Sequence, residues 1–173
     1  LLGATELLTS LKTEPERTHR LLGTITDFLV DWIAYQRERF PSIDGVLILD
    51  DVVGFISRGD FVAFGLPYLR RCFPADVAVR FFHNDAPCKA CAPHLAEAGV
   101  NLLNFGVQHT LAEMKEWTQG AITLVGNLPP RDVLAEASPA AVAAAVRGIL
   151  DAVSDHTRLV ASCGGGMPPG VPT

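Results

Sequence analysis

The feature that most constrains what this chain can fold into is a unit that recurs five times: a short apolar run, a polar tip, then a helical pattern. The runs are Val46–Leu49, Val77–Phe82, Val100–Leu103, Ile122–Val125 and Leu159–Ala161. Each reads as continuous rather than alternating, as expected of strands covered on both faces. Strands that alternate with helices build a parallel sheet with right-handed crossovers. A doubly wound sheet would carry one dominant glycine-rich phosphate loop near its start, and none stands there. The polar residues are instead shared among all five tips: Asp50 and Asp51, His83 and Asp85, Asn104, Asn127, and Cys163. That distribution predicts an α/β fold of the TIM (β/α)8 barrel type, whose site is assembled from many loops at one face. About three strands are wanting for closure. The chain also opens without Met, so the sequence reads as a fragment holding about five βα units of an incomplete barrel.

Local signals fill in the helices. Gly3 to Leu11 predicts a short helix. Thr13 as N-cap with Pro15 in the first turn starts a long amphipathic one, which carries Leu21, Leu22, Ile25, Phe28, Leu29, Trp32, Ile33 and Tyr35 to about Arg39. Ser57 caps the helix after the first strand, and Pro67 inside its pattern predicts a kink or break. Pro87 to Ala98 reads as a helix stopped by Gly99, and Thr110 caps another that Gly120 closes. Pro130 to Ala135 reads as a short helix, and Ser138 with Pro139 starts the last one.

Composition excludes several classes. A net charge of −5 without a basic cluster leaves no electrostatic footprint for nucleic acid. The apolar runs are too short for a bilayer, no secretion signal stands at the start, and four cysteines do not make a disulfide scaffold. A reduced, cytoplasmic protein acting on a small molecule is the expectation.

Among the tips, His83-Asn84-Asp85 is the sharpest signal: a His and a carboxylate two apart at a strand end can bind a metal, polarise a substrate or pass a proton. The plainer alternative makes Asp85 a cap and His83 a partner of a neighbouring loop. Asp50-Asp51 suits a polar substrate, with one acid facing the site and the other held by Arg or backbone amides. Cys88 and Cys91 invite a redox or zinc reading, but with Leu95 they fall at i, i+3 and i+7, the stripe of a buried face. The glycines after the last strand, Gly164 to Gly166, can form an anion-holding nest or a turn, and Cys163 beside them can ligate a metal with His83. The remaining histidines, His19, His94, His109 and His156, are expected in solvent.

Several stretches, taken in order, carry a resemblance: Asp50-Asp51-Val52-Val53-Gly54-Phe55-Ile56-Ser57, Leu66-Pro67-Tyr68-Leu69, Ala96-Glu97-Ala98-Gly99-Val100, Gly126-Asn127-Leu128, and Gly164-Gly165-Gly166-Met167-Pro168-Pro169-Gly170-Val171-Pro172. Together they resemble the uroporphyrinogen decarboxylase superfamily, which includes the decarboxylase and the corrinoid-linked methyltransferases. The resemblance implies that residues 1–173 are the C-terminal portion of one barrel domain. The decarboxylase carries a His between two glycines of the final loop, where this chain has Gly165. The zinc-dependent coenzyme M methyltransferases carry His-x-Cys after the strand and a Cys in the last loop, where this chain has His83-x-Asp85 and, displaced, Cys163. An acceptor other than a thiol, such as a pterin, suits that change. The resemblance therefore implies methyl transfer between a methylcorrinoid (methylcobamide), carried by a corrinoid protein, and a small acceptor. In it His83 and Asp85 are catalytic, Asp50, Asp51, Asn104, Asn127, Gly164 and Gly165 contact substrate, and zinc, if any, rests on His83 and Cys163. Porphyrinogen decarboxylation is the alternative, and a non-catalytic corrinoid- or tetrapyrrole-binding barrel is the third.

Overall fold

A computed structural model describes residues 2–171. Leu1, Thr173 and the last proline of the glycine-rich motif, Pro172, lie outside the described residues. Five parallel strands form one sheet in the order β1-β2-β3-β4-β5: β1 (Gly45–Leu49), β2 (Val79–Asn84), β3 (Leu102–Phe105), β4 (Thr123–Leu128) and β5 (Leu159–Cys163). Spatial order follows chain order without reversal, so each crossover steps to the next position. This is barrel winding, and it lacks the switch point of a doubly wound sheet.

The register aligns side chains across strands. Leu49 pairs with His83, His83 with Asn104, Asn104 with Val125 and Val125 with Val160. That row sits near the C-terminal end of the sheet and carries two of the polar tip residues, His83 and Asn104. The strands end later than the apolar runs suggest, because β2 includes His83 and Asn84, β3 includes Asn104, and β4 includes Gly126 and Asn127. The reason is that a side chain's polarity does not stop its backbone from continuing the ladder.

Burial corrects the expectation of strands covered on both faces. Phe82, Leu103, Phe105 and Leu124 are buried on the helix side, in a core with Phe61, Leu66, Phe73, Cys88, Cys91, Leu95, Leu111 and Met114. On the opposite face Leu47, Leu49, Val79 and Val160 are 51%, 65%, 41% and 48% exposed. Helices cover one side of this sheet only, among the described residues.

The helices follow local chemistry with three corrections. Thr13 ends α1 (Ala4–Thr13) rather than capping α2 (Pro15–Arg39); its hydroxyl donates back to Thr9. The expected stripe of α2 forms, yet Phe28, Trp32 and Tyr35 stay exposed while Thr18 and Thr26 are buried; α2 packs on both α1, where Thr18 meets Ser10, and α4 (Leu66–Cys72). The helix foreseen from Pro87 shrinks to α5 (Ala92–Leu95), since prolines at 87 and 93 supply no amide and the Cys88 amide donates to His109 Nε2. Before α4, α3 (Arg58–Asp60) starts under its Ser57 cap, and a π-turn at Phe61–Gly65 absorbs the break expected at Pro67. The helix α6 (Leu111–Trp117) opens with a capping box between Thr110 and Glu113, and α7 (Pro139–Asp151) starts under Ser138. No described helix is long and apolar enough to cross a membrane.

Candidate active site at the strand tips

Asn104 is the centre of the tip row. Its side-chain amide nitrogen lies 2.8 Å from the Val125 carbonyl and 3.0 Å from the Cys163 carbonyl, and its oxygen lies 2.7 Å from His83 Nδ1. Carbonyls only accept, so the NH2 must face them and the oxygen must face His83. An amide oxygen also only accepts, so His83 Nδ1 carries the proton. One asparagine thus fixes the tautomer of a histidine one strand away while joining β4 and β5.

The other ring nitrogen, Nε2, lies 3.3 Å from Asp85 Oδ2. With Nδ1 already protonated, a neutral ring presents a lone pair there, and an ionised carboxylate presents another. The contact is attractive only when it holds one proton, as imidazolium with carboxylate or imidazole with carboxylic acid. His83 is the more enclosed partner, at 18% side-chain exposure against 40% for Asp85. The geometry therefore offers a place for one shared proton at a strand end, next to solvent.

Asp85 is also where loops from four strands meet. Asp51 Oδ1, beyond β1, accepts the Asp85 amide at 2.7 Å. Gly54 packs so closely on the loop after β2 that an added Cβ would lie 2.5 Å from Ala86 Cβ. An added Cβ at Gly106, beyond β3, would lie 2.5 Å from the Asp85 carbonyl oxygen. Gly165, beyond β5, has φ +108° and would place a Cβ 2.7 Å from Asp85 Oδ2. Asp85 Oδ1 is shut from solvent and takes no hydrogen bond among the described residues. An unpaired buried acceptor is costly.

The other residues singled out from the sequence have different surroundings. Asn127 directs its NH2 to the carbonyls of Gly106 and His109, which ties down the loop after β3. The Gly164 amide extends the ladder to Leu128, and its Cα packs against Phe105 and Val107. Asp50 accepts the Val52 amide at 2.8 Å and lies among leucines of α1 and α2, on the helix side of the sheet, where burial pushes its carboxyl above the usual range. Both acids of the Asp50-Asp51 pair thus hold backbone amides, and Asp51 is the one joined to the His83 site. Cys88 and Cys91 are fully buried, as their spacing predicts, and their mutual hydrogen bond together with burial pushes the Cys88 thiol well above its ordinary range. Three histidines expected in solvent are engaged: His19 stacks on Phe64 and bonds Tyr68, His94 accepts from Arg58, and His109 accepts from Cys88. His156 is exposed. Gly54 and Gly106 were not anticipated as part of the site; glycine just beyond a strand end was the available signal.

Zinc does not suit this donor set. His83 Nε2, the nitrogen left for a metal, is set against Asp85, and Cys163 Sγ lies 2.9 Å from the Gly165 carbonyl. Among the described residues no three His, Cys, Asp or Glu side chains gather into a metal-holding group.

The sequence signature of the family described as Uroporphyrinogen decarboxylase (URO-D) matches residues 2–173. The chain belongs to that family. Similar curated proteins include the uroporphyrinogen decarboxylase of Chloroherpeton thalassium, 28% identical over 149 residues, covering 83% of this chain and 40% of the relative. That of Burkholderia mallei is 26% identical over 162 residues, covering 88% and 43%. A solved methyltransferase from Methanosarcina mazei superposes with a TM-score of 0.82 at 19% identity, over 99% of this chain and 50% of that one. The chain thus spans less than half the length of these curated relatives, and its URO-D fold is a partial TIM barrel, with five of the βα units of that architecture.

Proposed function

We propose that this URO-D family member transfers a methyl group between a methylcorrinoid and the nitrogen of a small acceptor such as a pterin, with His83 and Asp85 managing the proton. One observation carries the reading: Asn104 fixes the proton on His83 Nδ1, so the contact between Nε2 and Asp85 works with a single shared proton. The methylcorrinoid, a substrate presented by a corrinoid protein, supplies the methyl group, and its cobalt–carbon bond breaks with the electron pair leaving on the corrinoid. As the acceptor nitrogen gains the methyl through its lone pair, it loses its proton to the pair, which starts as neutral imidazole with carboxylate and ends holding the one shared proton. Asp85 can take that proton because His83, hydrogen-bonded through Nδ1, shares the charge. In the reverse direction the pair returns the proton to the nitrogen and improves it as a leaving group. The Asp85 side chain is 40% exposed, which lets it meet the N–H of such an acceptor, and Gly165 lets the last loop lie on the carboxylate without a Cβ in the way.

The barrel fold serves many chemistries and does not choose among them. The names of the curated relatives favour a second reading, in which the pair protonates the carbon that loses CO2 from a porphyrinogen. That reading lacks the His that the decarboxylase carries at Gly165. Mixing the protein with methylcobalamin and tetrahydrofolate, or with a thiol, and following the cobalamin spectrum tests the first. Loss of the methylcobalamin band only with the pterin, abolished by His83→Ala, is the expected result. No spectral change with any acceptor, alongside CO2 release from uroporphyrinogen, overturns it in favour of the second. Binding of corrinoid unaffected by His83→Ala, with no turnover, points to a non-catalytic barrel.

A further inference from the structure

Asp50 plays no part in the His83–Asp85 arrangement, yet it sits in a cavity of its own. From α1 come Leu7, Leu8 and Leu11, from α2 Leu22, and from the segment after β1 Val52, Val53, Ile56 and Phe64. The cavity is about 160 Å³. Its walls are apolar apart from Asp50 and the backbone of Gly65. A cavity of roughly 150 Å³ lined by aliphatic and aromatic side chains takes a benzene-sized guest. The carboxylate's Oδ1 accepts the Val52 amide. No cationic side chain pairs with Asp50 or lines its cavity among the described residues. A partly buried carboxylate in apolar walls, without a protein cation, is complemented by a small cation that carries its own apolar group.

We infer that the Asp50 cavity between α1, α2 and the tip of β1 binds a small primary amine bearing a benzene-sized apolar group, with the ammonium on Asp50 and the ring among Leu8, Leu11, Leu22 and Phe64. The site stands apart from the proposed methyl transfer and does not depend on it. Asp51, next in sequence, holds the Asp85 amide, so the two sites share one strand tip. Three properties make the amine the matching ligand: the size of the cavity, the single charge at its wall, and the absence of a second polar side chain to satisfy a more polar guest.

The test titrates the full chain with benzylamine, benzyl alcohol, toluene and benzoate, and follows the Leu, Val and Ile methyl signals by NMR. Benzylamine should bind at least about tenfold tighter than toluene, which is a charge-assisted bond of ordinary strength. Benzoate should not bind, and the shifts should centre on Leu11, Leu22 and Val53. Asp50→Asn, which keeps an oxygen for the Val52 amide, should erase the preference while toluene still binds. Leu22→Phe, a second variant, should fill the space and remove both. Equal affinity for benzylamine and toluene, an unchanged benzylamine affinity in Asp50→Asn, or no shifts at these methyls would overturn the inference.

Discussion

Replacing Asn104 by Ala tests the hydrogen-bond network on which the proton argument rests. The substitution removes three hydrogen bonds from a residue only 8% exposed: two to the carbonyls of Val125 and Cys163, and one to His83. A buried group left unpaired costs about 1–3 kcal/mol, and water reaching the truncated site recovers part of that loss. A destabilisation of about 2–4 kcal/mol is therefore expected, read as a lower urea midpoint with an unchanged slope. The second readout is specific to the mechanism. Long-range 1H–15N correlation spectra of the wild-type imidazole should show His83 Nδ1 protonated and Nε2 either bare or sharing a proton with Asp85. In Asn104→Ala the ring should populate both neutral tautomers, and methyl transfer should fall by about 100-fold, the scale of a misplaced catalytic group. A wild-type ring protonated only on Nε2 would falsify the reasoning, because Asn104 could then not be oriented by its two carbonyls.

Three further outcomes follow from single contacts. Gly165→Ala combines φ +108° with a Cβ 2.7 Å from Asp85 Oδ2; it should cost about 1–3 kcal/mol and lower turnover more than corrinoid binding, measured by denaturation and by separate kcat and Kd determinations. Burial raises the Asp50 carboxyl above its usual 3.8, so the folded state holds that proton more tightly than the unfolded chain. Its contribution to stability is full below the unfolded value and is lost as pH rises through the folded one, so Asp50→Asn should be more stable than wild type near neutral pH, with the gain vanishing below about pH 4. Thr110→Ala breaks the capping box of α6 and should cost about 1 kcal/mol by urea denaturation, and equal stability of the two proteins would show the cap to be idle.

The architecture was legible because its signal is periodic. Five apolar runs with polar tips specify parallel βα units whatever the details, and the capping residues Ser57, Thr110 and Ser138 mark helix starts through chemistry within one turn. What was not legible depends on neighbours distant in sequence. Thr13 looks like a cap, but the backbone of α1 reaches it first. The stripe of α2 looks like a core face, but its burial depends on where α1 and α4 pack against it. The segment from Pro87 looks helical by spacing, but the ring of His109, 21 residues on, takes the Cys88 amide.

The same distinction runs through the site. His83 and Asp85 were recognisable because strand-tip polarity is a local property. Asn104 was recognisable as polar, but its role was not, since it depends on register: His83 and Asn104 are opposite each other only because β2 and β3 pair as they do. A one-residue slip would turn His83 to the helix side and bring Asn84 into the row. Asn84 prevents that slip. It is fully buried on the core side, with its oxygen on the Ala86 amide and its NH2 towards Cys91 Sγ, a set of partners that exists only there. The fully buried cysteines thus serve the site by giving Asn84 a place to be satisfied, which holds His83 facing Asn104. The glycines complete the arrangement from outside: Gly54, Gly106 and Gly165 each lack the Cβ that would push a loop off Asp85. If the pair shares a proton over 3.3 Å as proposed, little displacement is tolerated, and the glycines at three tips and the buried Asn84 meet one requirement, the position of Asp85 against His83.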